Sequence, residues 1–208
     1  MFYESKTDRA LRFGDVLKGF ISTTPIIREP MIEEKDNEYH INVNMTKFSV
    51  VMDPCCSIGD KKISLTPLIH LLPTSFNNPY LSEDLTRINR EMEPHQAVPP
   101  NIWEKFTSEE KQKRLEIGKG YAFLNFFVYE GHDFLPKYTV NRREGNIETN
   151  YYMIDFRNMY KVNCDKIVSP TEAPLDCKIL QVSIDARSQL RDKISYYYGR
   201  VPEEDIYL

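Results

Sequence analysis

Five residues in succession, Phe48-Ser49-Val50-Val51-Met52, form a short apolar run that stops at Asp53-Pro54. A strand that is apolar on both faces must be covered on both faces. The run therefore predicts a central strand inside a layered β architecture. Around it the chain repeats one theme, β-branched and aromatic stretches punctuated by turn residues. Residues 15–27, 63–69, 121–130, 151–156, 159–167 and 178–182 read as strands, with the fourth and fifth of these paired around Arg157-Asn158. Residues 39–45 alternate Tyr39, Ile41, Val43 and Met45 against His40, Asn42 and Asn44, the pattern of a half-buried strand. Glu33 to Glu38 is polar and reads as a hairpin tip, as does the Arg142-Arg143-Glu144-Gly145-Asn146 loop.

Between residues 72 and 118 the character changes. Prolines accumulate, and two helices are predicted: one capped by Ser82 and running to about Met92, the other opened by the capping box Thr107-x-x-Glu110. A final helix spans residues 183–198, with Val182, Ala186, Leu190, Ile194 and Tyr197 as its apolar stripe and Gly199 as its stop. Consecutive short strands favour an antiparallel barrel or sandwich over a parallel βαβ fold. The expectation is one α+β domain: a small antiparallel barrel core over about 12–71 and 119–182, a helical insertion over 72–118 and a closing helix over 183–199.

With 208 residues the chain can bury a sizeable core without disulfide or metal. Its formal charge of −4 gives no global basic excess, which lowers the expectation of binding through nucleic-acid phosphates without excluding a local patch. No run of eighteen apolar residues suggests a membrane span. The N-terminus lacks a signal-peptide layout, so a cytoplasmic chain with reduced thiols is expected. No Gly-rich phosphate loop, metal-ligand spacing or cofactor motif is present.

Three groups of residues could carry chemistry. Asp53, Cys55 and Cys56 sit just past the central strand, where a thiol becomes a nucleophile if a cation or histidine lowers its pKa. Cysteine is also among the most buried residue types, so two small buried side chains at a tight corner are expected. His70 ends the next strand, and a spatial Cys–His pair stays open. Asp15 and Asp155 could share acid–base work only if the fold joins them; a hydrogen bond to a loop amide is the ordinary task of each. Arg142, Arg143 and Arg157, with Lys137 near in sequence and Tyr138, Tyr151 and Tyr152 interleaved, form the best local candidate for a nucleic-acid surface.

Arg12-Phe13-Gly14-Asp15-Val16-Leu17 resembles the opening strand of the MazF/PemK-like small barrels. Residues 48–58 with 63–69 resemble their central strand pair, and Ala186-Arg187-x-x-Leu190 with Tyr198-Gly199-Arg200 their closing helix. The likeness is nearest to uncharacterised bacterial members with a cysteine-containing corner, and implies an SH3-like barrel in a bacterial or phage, toxin–antitoxin-like setting. The ribonucleases of that family carry Arg-Pro before the second core strand, where Thr46-Lys47-Phe48 stands here, and Cys55-Cys56 replaces the Cys-Asp of the uncharacterised bacterial members. Ribonuclease activity does not transfer residue by residue. The expectation is a barrel protein that binds a macromolecular partner, protein or nucleic acid. The alternative is an endoribonuclease or other hydrolase using Cys55, Cys56 and Asp53. No cofactor is expected, and a homodimer stays open.

Overall fold

The computed structural model describes residues 1–26, 40–58, 61–79, 81, 83–163 and 177–199, without the side chains of 21–26, 40 and 41. The chain is α+β, with all strand pairs antiparallel. β1 (Val16–Ile26), β2 (His40–Val51), β3 (Lys62–Pro67), β9 (Tyr160–Asn163) and β10 (Lys178–Leu180) form one sheet in the order β10-β1-β2-β3-β9. β4 (Ile69–His70), β8 (Tyr152–Asp155) and β5 (Phe126–Tyr129) form a second in the order β4-β8-β5, while β6 (Tyr138–Arg142) and β7 (Gly145–Thr149) make a hairpin. None of the three ladders closes on itself among the described residues.

The central-strand expectation is met. Val50 packs with Val16, Phe127 and Ile154 between the two sheets, whereas Val51 packs with Leu17, Ile63 and Leu65 on the opposite face of the large sheet. α3 (Ile184–Gly199) lays Ala186 and Leu190 onto the first of these cores, as its stripe predicts. A third core lies on the outer side of the small sheet, where Leu71 and the insertion's Phe76, Leu85 and Ile88 meet Val128 and Met153.

One strand pair serves both sheets. β3 runs through Leu68 into β4, and β8 runs into β9, so the same two segments pair as β3·β9 and then as β4·β8. Three residues separate Leu65 from Ile69, but six separate their partners Tyr160 and Met153. The excess forms a 3₁₀ turn, Phe156–Asn158, which the Asp155 carboxylate caps by accepting the Arg157 N–H at 3.0 Å. Buried Thr66 fills the corner, its hydroxyl 3.2 Å from the Asp155 carbonyl and 3.4 Å from that of Asn158. The bulged corner is the device by which strands pass between orthogonally packed sheets. It also corrects the expected pairing of residues 151–156 with 159–167: a capped 3₁₀ turn carries the chain over the corner instead of reversing it.

Other expectations change for local reasons. The helix expected to run to Met92 is a 3₁₀ turn, Leu85–Asn89, because Asp84 caps it and Asn89 is diverted to the edge of β5. There Asn89 donates to the Val128 carbonyl at 2.8 Å and accepts from the Val128 N–H at 2.6 Å. The capping-box helix is present as α2 (Ser108–Ile117), after a single turn α1 (Pro100–Trp103). The predicted loop at 142–146 lies within the β6–β7 hairpin, whose Gly145 has φ 125°. The two strands expected at 39–45 and 48–52 are one strand, β2, and Val43 and Met45 are exposed, since β3 pairs only from Ser49 onward. Residues 33–38, Ser82, Cys164 and the end of the strand expected to reach Ile167 lie outside the described residues.

Two buried charges anchor the ends of the fold. Asp15 is fully buried and accepts from Lys178 Nζ at 2.7 Å and from the Arg12 N–H at 2.9 Å. Burial outweighs Lys178 and pushes its carboxyl up to about 6. Lys193 on α3 is also fully buried, with Nζ 2.6 Å from the Ile88 carbonyl and 5.3 Å from the Tyr121 ring centroid. Burial holds its amine well below the ordinary 10.5. It occupies a stripe position, three residues after Leu190 and four before Tyr197, so it ties the closing helix to the insertion.

Two measurements test this account. Thr66→Val keeps the volume but leaves the corner carbonyls without their donor, and should lower the urea-unfolding free energy by about 1–2 kcal/mol; an unchanged midpoint would show that the ladder alone holds the corner. For Lys193, the unfolded chain binds a proton that the folded chain releases between the depressed value and 10.5. Stability should therefore rise with pH across that window. Urea unfolding from pH 6 to 9 should show a positive slope that flattens in Lys193→Met.

Candidate functional site

Crossing the corner places β4 beside the start of β8, and a cleft of about 540 Å³ opens there. Its floor is built by Tyr138. The phenol oxygen accepts from the Leu71 N–H at 2.9 Å and donates to the Tyr151 carbonyl at 2.5 Å. Both groups belong to the next rung of the β4·β8 ladder, so the hydroxyl is consumed by backbone and the ring is fixed. Burial pushes its pKa up to about 12, which keeps it a neutral donor. Tyr152 forms a wall; its hydroxyl donates to the Pro136 carbonyl at 2.7 Å.

On this floor lies His70. Its ring is parallel to Tyr138 within 1°, centroids 3.9 Å apart, and stands edge-on to Tyr152 at 5.2 Å. The side chain is exposed, and neither imidazole nitrogen has a hydrogen-bond partner among the described residues. Burial against the rings, and then the charge of Lys47, lower its pKa from the ordinary 6.5. Two lysines flank it. Lys47 on β2 is exposed, whereas Lys137 is 2.8 Å from Glu148 in an exposed ion pair. The result is a flat, neutral aromatic stack open to solvent in a cleft that Lys47 and the ion-paired Lys137 also line.

The predicted residues distribute differently. Cys55 and Cys56 are both exposed in the 3₁₀ turn Cys55–Ser57, which corrects the expectation of buried thiols. Their corner projects from the sheet because Asp53 turns back to accept the Ser64 N–H at 2.5 Å. Among the described residues no histidine pairs with them; His70 lies in the cleft instead. Asp15 and Asp155 are not joined either, since one pairs with Lys178 and the other with Arg157.

Among the arginines, Arg142 is half-buried and donates to Asn77 Oδ1 at 3.0 Å, and Arg143 is exposed at the hairpin turn. Arg157 lines a separate groove with Tyr160 and Tyr198. Tyr152 does line the His70 cleft, but at 3% exposure it is wall, not stacking surface. Lys137 and Tyr138 stood in the sequence candidate for a nucleic-acid surface, whereas His70 and Lys47 did not. No sequence signal joins Lys47 to His70, because β2 and β4 belong to different sheets and meet only around the corner.

Among the described residues no helix is long and apolar enough to cross a membrane, and no cluster of three or more His, Cys, Asp or Glu could hold a metal ion. Comparison with protein-family models, curated proteins and solved structures returned no match.

The electrostatic coupling within the cleft is measurable. Lys47→Gln should raise the His70 pKa, followed by imidazole NMR titration, while leaving it below the free-histidine value because burial persists. An unchanged titration would place the Lys47 ammonium out of reach of the ring.

Proposed function

We propose that this protein binds single-stranded nucleic acid through the His70 cleft. The observation that carries the reading is the parallel His70–Tyr138 stack, open to solvent and flanked by Lys47 and Lys137. An aromatic platform accepts any base on its π face, and ammonium groups on either side follow the backbone phosphates. A neutral imidazole suits this task. It can stack without carrying a hydration shell, and an approaching phosphate offsets the lysine charge that lowers its pKa. The overall charge of −4 confines such binding to a local patch, so a short site is expected.

The small-barrel relationship belongs to the same proposal. It is supported by the strand pair that turns from one sheet into the other at Thr66, the construction that barrels and orthogonal sandwiches share. Lys47 then occupies the place where the family's ribonucleases carry arginine. A lysine supplies a point charge there but no planar fork for bidentate phosphate binding, which favours holding a strand over cleaving it.

Fluorescence anisotropy with labelled eight-nucleotide RNA and DNA single strands tests the reading. His70→Ala should weaken binding about tenfold, the loss of one stacked base. Lys47→Glu should weaken it further and flatten the dependence on salt. Intact strands on a denaturing gel after overnight incubation are expected; cleavage that depends on His70 would instead establish the hydrolase alternative. Binding indifferent to both substitutions would place any nucleic-acid site elsewhere.

A further inference from the structure

A second cavity, about 570 Å³, lies between β9 and the end of α3 and shares no lining residue with the His70 cleft. Its volume falls in the range of small-ligand sites. Among the described residues two cations line it, Arg157 and Lys161, and no carboxylate does. Arg157 is held from behind. Its Nε lies 2.9 Å from Asp155 Oδ1, and its Nη2 lies 2.5 Å from Asp155 Oδ2. With the Asn125 amide turned so that its oxygen faces the guanidinium, that oxygen accepts from Nη2 at 3.0 Å and Nε at 3.2 Å.

These contacts occupy one edge of the guanidinium. Nη1, with two N–H groups, has no protein partner among the described residues. The carboxylate behind it is 7% exposed and the arginine 59%, so the pair meets solvent through its cationic side. A guanidinium clamped by a buried acid, with a free N–H pair in front, is pre-organised for an oxyanion. Lys161 is exposed beside it. Across the groove Tyr198 is 59% exposed, yet its hydroxyl donates to the Phe156 carbonyl at 3.0 Å, which fixes the ring as a platform.

We propose that this groove is a nucleotide site, with a phosphate on Arg157 Nη1 and Lys161 and the base on the exposed ring of Tyr198. The pairing of fixed planar ring and fixed cation selects a ligand that carries both a flat aromatic group and a phosphate. The proposal stands apart from the His70 cleft, because the two sites have no residue in common.

Adenosine 5′-monophosphate titrated against ¹⁵N-labelled protein tests it, with adenosine and inorganic phosphate as single-feature probes. The nucleotide should shift the resonances of Arg157, Lys161 and Tyr198, and bind at least about tenfold more tightly than either probe. Arg157→Lys should lose about tenfold, because its one ammonium satisfies Asp155 and leaves nothing in front. The exposed substitutions Lys161→Glu and Tyr198→Leu should each weaken binding in protein whose melting temperature confirms folding.

If the mononucleotide is silent but a single-stranded tetranucleotide binds the His70→Ala protein and is lost in Arg157→Lys, the nucleotide unit comes from a strand. No response to either ligand would overturn the proposal. So would affinity unchanged by Arg157→Lys and Lys161→Glu together, or phosphotyrosine binding more tightly than the nucleotide.

Discussion

The corner at Thr66 governs where everything else lies. Two segments of chain belong to both sheets, and they turn because β8 and β9 carry three more residues than β3 and β4 between matched rungs. The surplus is folded into a capped 3₁₀ turn whose carbonyls converge on one buried hydroxyl. Removing the surplus would leave a continuous two-stranded ribbon, with no second sheet to enclose the core around Val50 and Ile154. The local interaction is modest, about 1 kcal/mol for a neutral hydrogen bond. Its position lets it set a global geometry.

Both candidate sites follow from that turn. On one side of it the β4·β8 ladder ends at His70 and Tyr152, and the Tyr138 hydroxyl enters the following rung. On the other side Arg157 is a residue of the turn itself, and Tyr160 begins the strand that leaves it. Asp155 contributes to both sets of demands. Its carboxylate caps the turn and holds the arginine, while its carbonyl receives Thr66. The acid that sequence alone offered as a catalytic group is committed to shaping backbone.

Much of the architecture was legible because hydrophobic period reports burial directly. The run at 48–52 and the stripe of α3 say which face is covered, whereas the alternation at 39–45 misled because β3 does not reach Val43 and Met45. Corners are not legible in that way. Nothing in the period distinguishes a turn that reverses the chain from one that carries it into another sheet, so β8 and β9 were expected to pair. The sites suffered for the same reason. His70, Tyr138 and Lys47 come from three strands that pair with other strands and not with each other, and only the tertiary fold joins them. Lys193 shows a different limit. A lysine reads as solvated by composition, although its spacing from Leu190 and Tyr197 put it on the buried stripe.

Asn89 carries a consequence for how this fold tolerates change. The outer edge of β5 is met at Val128 by a side chain that gives and takes one hydrogen bond each, as a neighbouring strand would. Aspartate has the reach but no donor, leucine the volume but neither group, and glutamine is one methylene too long for the same spacing. Losing the mimic leaves the N–H and carbonyl of Val128 buried and unpaired, because Val128 and Asn89 are 0% and 1% exposed. At this position the folded state depends on an amide, and neither matching volume nor matching reach replaces it.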